Sequence, residues 1–349
     1  MNCAAIIWTI IRIYKMPLKV TWKKGMRLTT DVFDALDTCR DESIRLSNII
    51  ATGRRFGLIP VSKPFELSVN VSNNILEIVS LSCHGVTKSG RIVDIDFDSA
   101  YTNTFDTRLS MPSSDSGEAF LLVIRFYDRE WREVNEMYSE PRYTFELIGE
   151  NSPVDDDSLP IGLLVNQYGW RLDETDFVPP CLYADSHPKF EELASRARTL
   201  LKSISDICLG AHNCVARHLL GAVWPVVAES YIYIDKKQES LSPADLFASV
   251  QKVIAAFVIG CTIDEYITLE QAEPFVAYQQ RPYSIRNLYR DIQKGLELCS
   301  EISIKMEAVC SMTEVREMPI HAVEKPKPGP RPVPDPDPMG RRRWEGIEI

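Results

Sequence analysis

The sequence predicts an α+β chain: an N-terminal antiparallel β-sandwich, then an α-helical bundle with coiled-coil seams, then a disordered proline-rich tail. Three observations carry this. Short segments with a two-residue apolar period fill much of residues 17–182, separated by turn clusters. Beyond Pro179-Pro180 the apolar spacing switches to 3-4. From Pro326 to Pro338 every second residue is proline, which excludes helix and inner strand.

The length, 349 residues, exceeds what a single core usually holds and favours two domains. Residues 1–16 are expected to be an extension or a start assigned too early, with Met16 as the true start. Their apolar run, residues 3–14, is shorter than the ~20 residues that span a bilayer. Direct membrane insertion is therefore not expected.

Within the sandwich domain, residues 31–51 read as helical. The segments 66–71 and 75–81 flank Ser72-Asn73-Asn74, a hairpin turn signal. Residues 91–98 alternate, with Val93, Ile95 and Phe97 on one face and Asp94, Asp96 and Asp98 on the other. Residues 120–127, 143–148 and 160–165 supply further strands.

The helical domain is expected over 185–318. Asp185 or Ser186 can cap its first helix, with Pro188 in the first turn. Phe190, Leu193, Ala197, Leu200, Ile204, Ile207, Ala211 and Cys214 then follow at 3-4 spacing. Trp224-Pro225 is expected to end or kink this region. Ser242-Pro243 opens a second helix. The last begins near Ser284 and carries Ile285, Leu288, Ile292, Gly295, Cys299, Ile302, Met306 and Val309. A narrow seam fits self-association or an internal antiparallel bundle, and both can hold at once. The tail, residues 319–349, is either plain disorder or a polyproline spacer carrying a docking peptide, Arg341, Arg342, Arg343 and Trp344.

Composition narrows the function. Lys plus Arg is 39 against 49 for Asp plus Glu, a net charge of −10, and there is no basic stripe. Such a chain repels phosphate backbones, so nucleic acid is not an expected partner. The 9 cysteines are scattered without a C-x-x-C pair, which fits reduced, cytosolic thiols.

Catalytic signatures are missing: no P-loop, G-x-G-x-x-G, H-E-x-x-H or G-x-S-x-G occurs. Cys208, His212, Cys214 and His218 are zinc-type residues, yet on one continuous helix the two pairs point apart and do not converge on one ion. Asp94, Asp96 and Asp98 copy the opening of a calcium loop, but Ser99 and Phe105 stand where Gly and Glu are needed. Cys83 and His84, adjacent on a strand, face opposite ways. No cofactor, metal or catalytic residue is expected.

Motif order brings in a resemblance. Val20-Thr21-Trp22-Lys23-Lys24-Gly25-Met26-Arg27-Leu28 followed by Phe33, then the pair Asn74–Leu81 and Gly85–Asp96, resemble the N-terminal signature and strand pair of one family. So do the later runs Leu159–Val165, Gly169-Trp170-Arg171-Leu172-Asp173 and Phe177-Val178-Pro179-Pro180-Cys181-Leu182. The family is the type VI secretion baseplate subunit TssK. The likeness spans about residues 17–310. Thr29-Thr30-Asp31-Val32 depart from the family's Pro-Gln-His before the phenylalanine.

The resemblance implies a homotrimer whose β shoulder docks on the TssF/TssG wedge and whose helical neck holds three chains together. It places the molecule in the cytoplasm at the inner face of the membrane. The family carries a C-terminal head that binds the membrane complex. Here only the proline tail follows Val309, so the chain is expected to be a short form whose tail replaces that contact. Trp22, Gly25, Met26, Leu28 and Phe33 are the expected wedge-docking residues, unless they cover their own sandwich. Leu193, Ala197, Leu200, Ile204, Ile207, Ile285, Leu288, Ile292, Cys299, Ile302 and Met306 are the expected trimer or bundle seam. Two other readings stand beside this one: a phage-like tail or receptor-binding protein, and a hydrolase or metal enzyme with a scattered Cys/His site.

Overall fold

The structure is a computed structural model that describes residues 20–97, 106–112, 118–133, 139–167, 169–211, 216–264 and 266–311. The expected extension 1–16 and the tail 319–349, with Arg341, Arg342, Arg343 and Trp344, lie outside the described residues.

Helix α1 (Thr30–Thr52) comes first. Strands β1 (Gly57–Leu58), β2 (Glu66–Ser72), β3 (Ile75–Val86), β4 (Ile92–Phe97) and β5 (Arg108–Ser110) form one antiparallel sheet. Its centre is β3, with β2 and β1 along one side and β4 and β5 along the other. Ser72 pairs with Ile75 across the hairpin. Asn73 and Asn74 between them have φ of 51° and 59°, left-handed values that asparagine tolerates and that a two-residue hairpin loop needs. Strand β4 alternates as its sequence implies, with Val93, Ile95 and Phe97 buried.

The second sheet is also antiparallel, in the order β7 (Ser139–Gly149), β6 (Ala119–Glu133), β8 (Ser158–Asn166), β9 (Trp170–Leu172). The unbroken apolar run in β6 follows from cover on both faces. Leu122 and Ile124 join the main core, while Leu121 and Val123 pack with Phe177. The sheets meet through contacts such as Phe97 edge-on to Phe145, 6.3 Å between centroids. The Pro179-Pro180 run closes the sandwich against β1. Leu58 N–H donates to the Pro180 carbonyl at 2.8 Å, and Leu182 N–H donates to the Leu58 carbonyl at 2.9 Å.

The second half is helical: α2 (Pro188–Gly210), α3 (Arg217–Lys236), α4 (Pro243–Asp264), α5 (Leu269–Gln279) and α6 (Leu288–Cys310). The cap of α2 is His187, not Asp185 or Ser186. Its Nδ1 accepts from Lys189 N–H at 3.2 Å, and Pro188 occupies the first turn. Asp185 and Ser186 belong to a 3-10 turn, Ala184–Ser186, anchored where Ala184 N–H meets the Leu241 carbonyl at 2.7 Å.

Pro225 does not end a helix; it lies inside α3. Pro225 and Gly221, whose carbonyl loses its donor, are both exposed, so water takes up the missing bond. The buried stripe Leu219, Val223, Val227 and Ile234 offsets the remaining cost. Helix α4 begins at Pro243 as its sequence implies, with Ser242 Oγ accepting from Asp245 N–H at 3.1 Å. Residues Pro243–Ile263 are long and apolar enough to cross a membrane. In this chain 56% of that span is buried, and α4 is the central helix, packed by α3, α5 and α6.

Helix α5 is absent from the sequence-based expectation. It opens on a capping box, Thr268 with Gln271, and carries Pro274 inside the helix. Helix α6 starts at Leu288 rather than near Ser284, leaving Ile285 in the preceding turn. Gln251 Nε2 holds this link through the carbonyls of Tyr278, Gln279 and Arg281 at 3.0–3.4 Å.

The 3-4 seams are broader than their narrow reading. In α2 the buried face adds Ala194, Leu201 and Cys208, while Leu200 and Ile207 are half-buried. In α6 it adds Asp291, Leu296 and Leu298. A wide stripe is what a helix packed into its own domain presents.

Candidate partner interface

The exposed apolar residues predicted to dock gather on the N-terminal arm. Gly25 is third in a turn closed by Met26 N–H to the Lys23 carbonyl at 3.0 Å, and its φ of +79° favours glycine. The turn presents Trp22 (52% exposed), Met26 (36%) and Leu28 (61%). Phe33 (48%) and Leu36 (36%) follow on the first turns of α1. These side chains do not cover the sandwich. In a lone chain they leave a run of large apolar groups in water, the pattern expected of a contact surface.

The other half of α1 is fastened to the body. Glu42 pairs with Arg45 at 2.8 Å and with Arg91 at 2.9 Å. Arg45 Nη1 donates to the Ser89 carbonyl at 3.2 Å, and Asn48 Nδ2 donates to the Gly90 carbonyl at 3.0 Å. Ile49 is the buried apolar contact, set against Gly90, where a Cβ would collide with the Arg45 carbonyl. Burial pushes the Glu42 carboxyl up, but the hydrogen bonds and charges of Arg45 and Arg91 outweigh it and hold it below the usual range. The polar fastening is long-range, and residue periodicity gave no sign of it.

The seam residues sit elsewhere and face inward. Leu193, Ala197, Ile204, Leu288, Ile292, Cys299, Ile302 and Met306 are buried by helices of the same chain, at 0–4% exposure. Of the two arrangements open for the seam, these positions take the intrachain one. Exposed apolar residues on the helices are Leu209, Trp224, Ile232, Ile259, Ile263 and Ile304 instead.

The weaker chemical candidates separate. Cys208 belongs to α2 and His218 to α3, so they do not share one helix. His212 and Cys214 lie outside the described residues. Burial pushes the Cys208 thiol up to about 11. Among the described residues no group of three or more His, Cys, Asp or Glu is placed to hold a metal ion. Asp94 pairs with His84 at 2.8 Å and Asp96 with Lys63, while Asp98 lies outside the described residues. Cys83 points into the core, and burial raises its thiol far above the ordinary value.

A β-sandwich, a helical bundle and an exposed apolar arm make up the described part of the chain. No family model matches the chain, and no curated protein matches it in sequence. Solved structures match in fold. A crystal structure of TssK is 14% identical, with a TM-score of 0.55 over 82% of this chain and 69% of that one. TssK from the EAEC type VI secretion system, in complex with nanobody nb18, is 12% identical, with a TM-score of 0.50 over 76% and 68%. A chain of the TssK-TssF-TssG baseplate subcomplex, revealed by cryo-electron microscopy, is 13% identical, with a TM-score of 0.49 over 82% and 99%. The fold is TssK-like.

Proposed function

We propose that this chain is a structural adaptor subunit of a type VI secretion baseplate. It acts as a homotrimer in the cytoplasm, at the inner face of the membrane. Its N-terminal arm docks on the TssF/TssG wedge through Trp22, Met26, Leu28 and Phe33, with Gly25 shaping the turn. The C-terminal segment, with Arg341, Arg342, Arg343 and Trp344, reaches the membrane-side anchor. It converts no substrate.

The observation that carries this reading is the TssK-like course of the backbone together with an arm whose large apolar side chains stay exposed. Such side chains supply most of the energy of a protein interface when buried. Because the inner seams are filled by the chain's own helices, the trimer contacts fall to outer residues such as Trp224, Ile232 and Ile259.

The test is Trp22→Ala in the full chain. Expected is an unchanged melting temperature, a solution mass of three chains, and loss of capture by TssF/TssG. Capture equal to wild type removes the docking role of the arm. A single-chain mass at every concentration removes the trimer.

A further inference from the structure

Helix α1 is long and little covered by its own chain. Among the described residues no strand or helix packs extensively along it, and Ile49 is its only buried side chain. Thr29 makes no side-chain cap bond at its start, and no basic residue stands in its last turn. A helix with so little support is marginal in water, and the missing stabilisation has to come from packing of an amphipathic face. The sequence supplies that face. Val32, Leu36, Cys39, Ser43, Leu46 and Ile50 follow at 4-3-4-3-4 spacing. This is the a/d seam of a coiled coil, with Val32 at d and Leu36 at a, about 27 Å long at 1.5 Å per residue. Leu36 is 36% exposed and Ile50 81%, Ser43 is exposed, and Val32, Cys39 and Leu46 are half-buried.

The seam points away from the sandwich. Glu42, Arg45, Asn48 and Ile49, which hold α1 to Ser89, Gly90 and Arg91, centre roughly 130° from it around the helix axis. Its one hydroxyl layer is already satisfied. Ser43 Oγ donates to the Cys39 carbonyl of its own helix at 2.7 Å, so covering it strands no donor. The helix also keeps its charge off the seam: Asp31, Asp34, Asp37 and Asp41 all fall at b, c or f positions. At the flanking e and g positions only Arg40 and Glu42 are charged. Two copies laid antiparallel, Leu36 on Leu46, bring Arg40 beside Arg40 and Glu42 beside Glu42, and like charges repel. Laid parallel and in register, Arg40 of one copy faces Ala35 of the next and Glu42 faces Ser47. The charges therefore select a parallel pairing of identical helices.

We propose that α1 is a self-association helix: in the trimer proposed above, on which this inference rests, the copies of α1 run parallel and in register. Leu36, Cys39 and Leu46 of each chain then meet the same residues of its neighbours. The seam is short for a free-standing coiled coil, but each helix is fastened to a folded body whose outer contacts add to it. The arm residues Trp22, Met26 and Leu28 precede the seam in the chain. A parallel arrangement brings the arms to one end and presents them together to a partner, where several weak contacts act as one.

The test uses the native Cys39 thiol in the full chain, with the solution mass measured on the same sample. A disulfide needs Cα atoms within about 7 Å, which d positions of parallel neighbours satisfy and which residue 39 in the antiparallel pairing, set against Ser43, does not. Air oxidation with copper(II)-phenanthroline, read by peptide mass spectrometry, should yield a Cys39–Cys39 link between chains. Leu36→Lys with Ile50→Lys, both at exposed positions, should lower that link about tenfold by mass action. Asp37→Cys with Cys39→Ser moves the thiol to an outer position and should link about tenfold less than wild type. A mass of three chains without the Cys39 link overturns the inference and leaves the trimer standing. Equal linkage from the Asp37→Cys variant marks random collision and also overturns it. A single-chain mass at every concentration removes the trimer, and this inference with it.

Discussion

The Tyr278 hydroxyl donates a 2.8 Å hydrogen bond to the backbone carbonyl of Asp291, tying the end of α5 to the first turn of α6. The Asp291 carboxylate, almost fully buried, is met by Arg281 at 2.5 Å. The ring fits only because Gly295 has no side chain: a Cβ there would overlap the tyrosine oxygen and Val250. Gly295→Ala should therefore cost about 2 kcal/mol, overpacking outweighing the gain in helix propensity. Gly221→Ala on α3 has open space around it and should be neutral or stabilise by up to ~1 kcal/mol. Urea denaturation of the two variants checks the contrast.

The fastening of α1 should be separable from the body. Glu42→Gln removes the charge that holds Arg45 and Arg91, at a local cost of about 1–2 kcal/mol. Hydrogen exchange over residues 42–52 should quicken while the β4 amides stay unchanged. Because the folded carboxyl is held below its ordinary value of 4.5, its contribution is present above that pH. It is lost as pH falls through the lower folded value.

His187 should make stability fall in mild acid. Burial, aided by Lys189, pushes the ring from 6.5 down to about 4, and its cap on α2 needs a neutral Nδ1. Between those values the unfolded chain binds a proton that the native chain does not. Stability therefore drops as pH falls from about 6.5 and the loss is complete near 4, by about 2 kcal/mol once the ring's partial exposure is allowed for. His187→Asn keeps a capping side chain and does not titrate. Melts of both proteins from pH 7 to 4 should diverge by that amount.

The inward seam makes a further claim testable. Leu193→Ala or Ile292→Ala leaves a cavity inside one chain and should cost about 2–5 kcal/mol. The shift in denaturation midpoint should be the same at low and high protein concentration. A shift that grows on dilution would move the contact to a subunit interface.

Elements whose signals are local were legible from residues alone. Asn73-Asn74 specified a hairpin loop, alternation specified β4, and Ser242-Pro243 specified the start of α4. Local signals misled where distant groups intervened. His187 took the cap because Ala184 is bound to Leu241 from another part of the chain. Pro225 sits in a helix because its ring and the orphaned carbonyl face water. Helix α5 was missed although its capping box, Thr268 with Gln271, stands in the sequence. Of the candidate interface, the residue types were readable, but the latch that leaves half of α1 projecting was not. It joins Glu42 to Arg91 and Asn48 to Gly90, on elements that sequence spacing does not relate.

Periodicity and turn chemistry by themselves determined an antiparallel sheet region followed by amphipathic helices. They report that a face needs cover. They carry no information on which surface supplies it, because burial of apolar area is non-directional. Only the tertiary structure decided that Leu193 and Ile292 are covered by helices of their own chain and that Trp22 stays in water. Each of those outcomes depends on which segments meet across the sandwich and the bundle, a long-range choice made by the packing of the whole core.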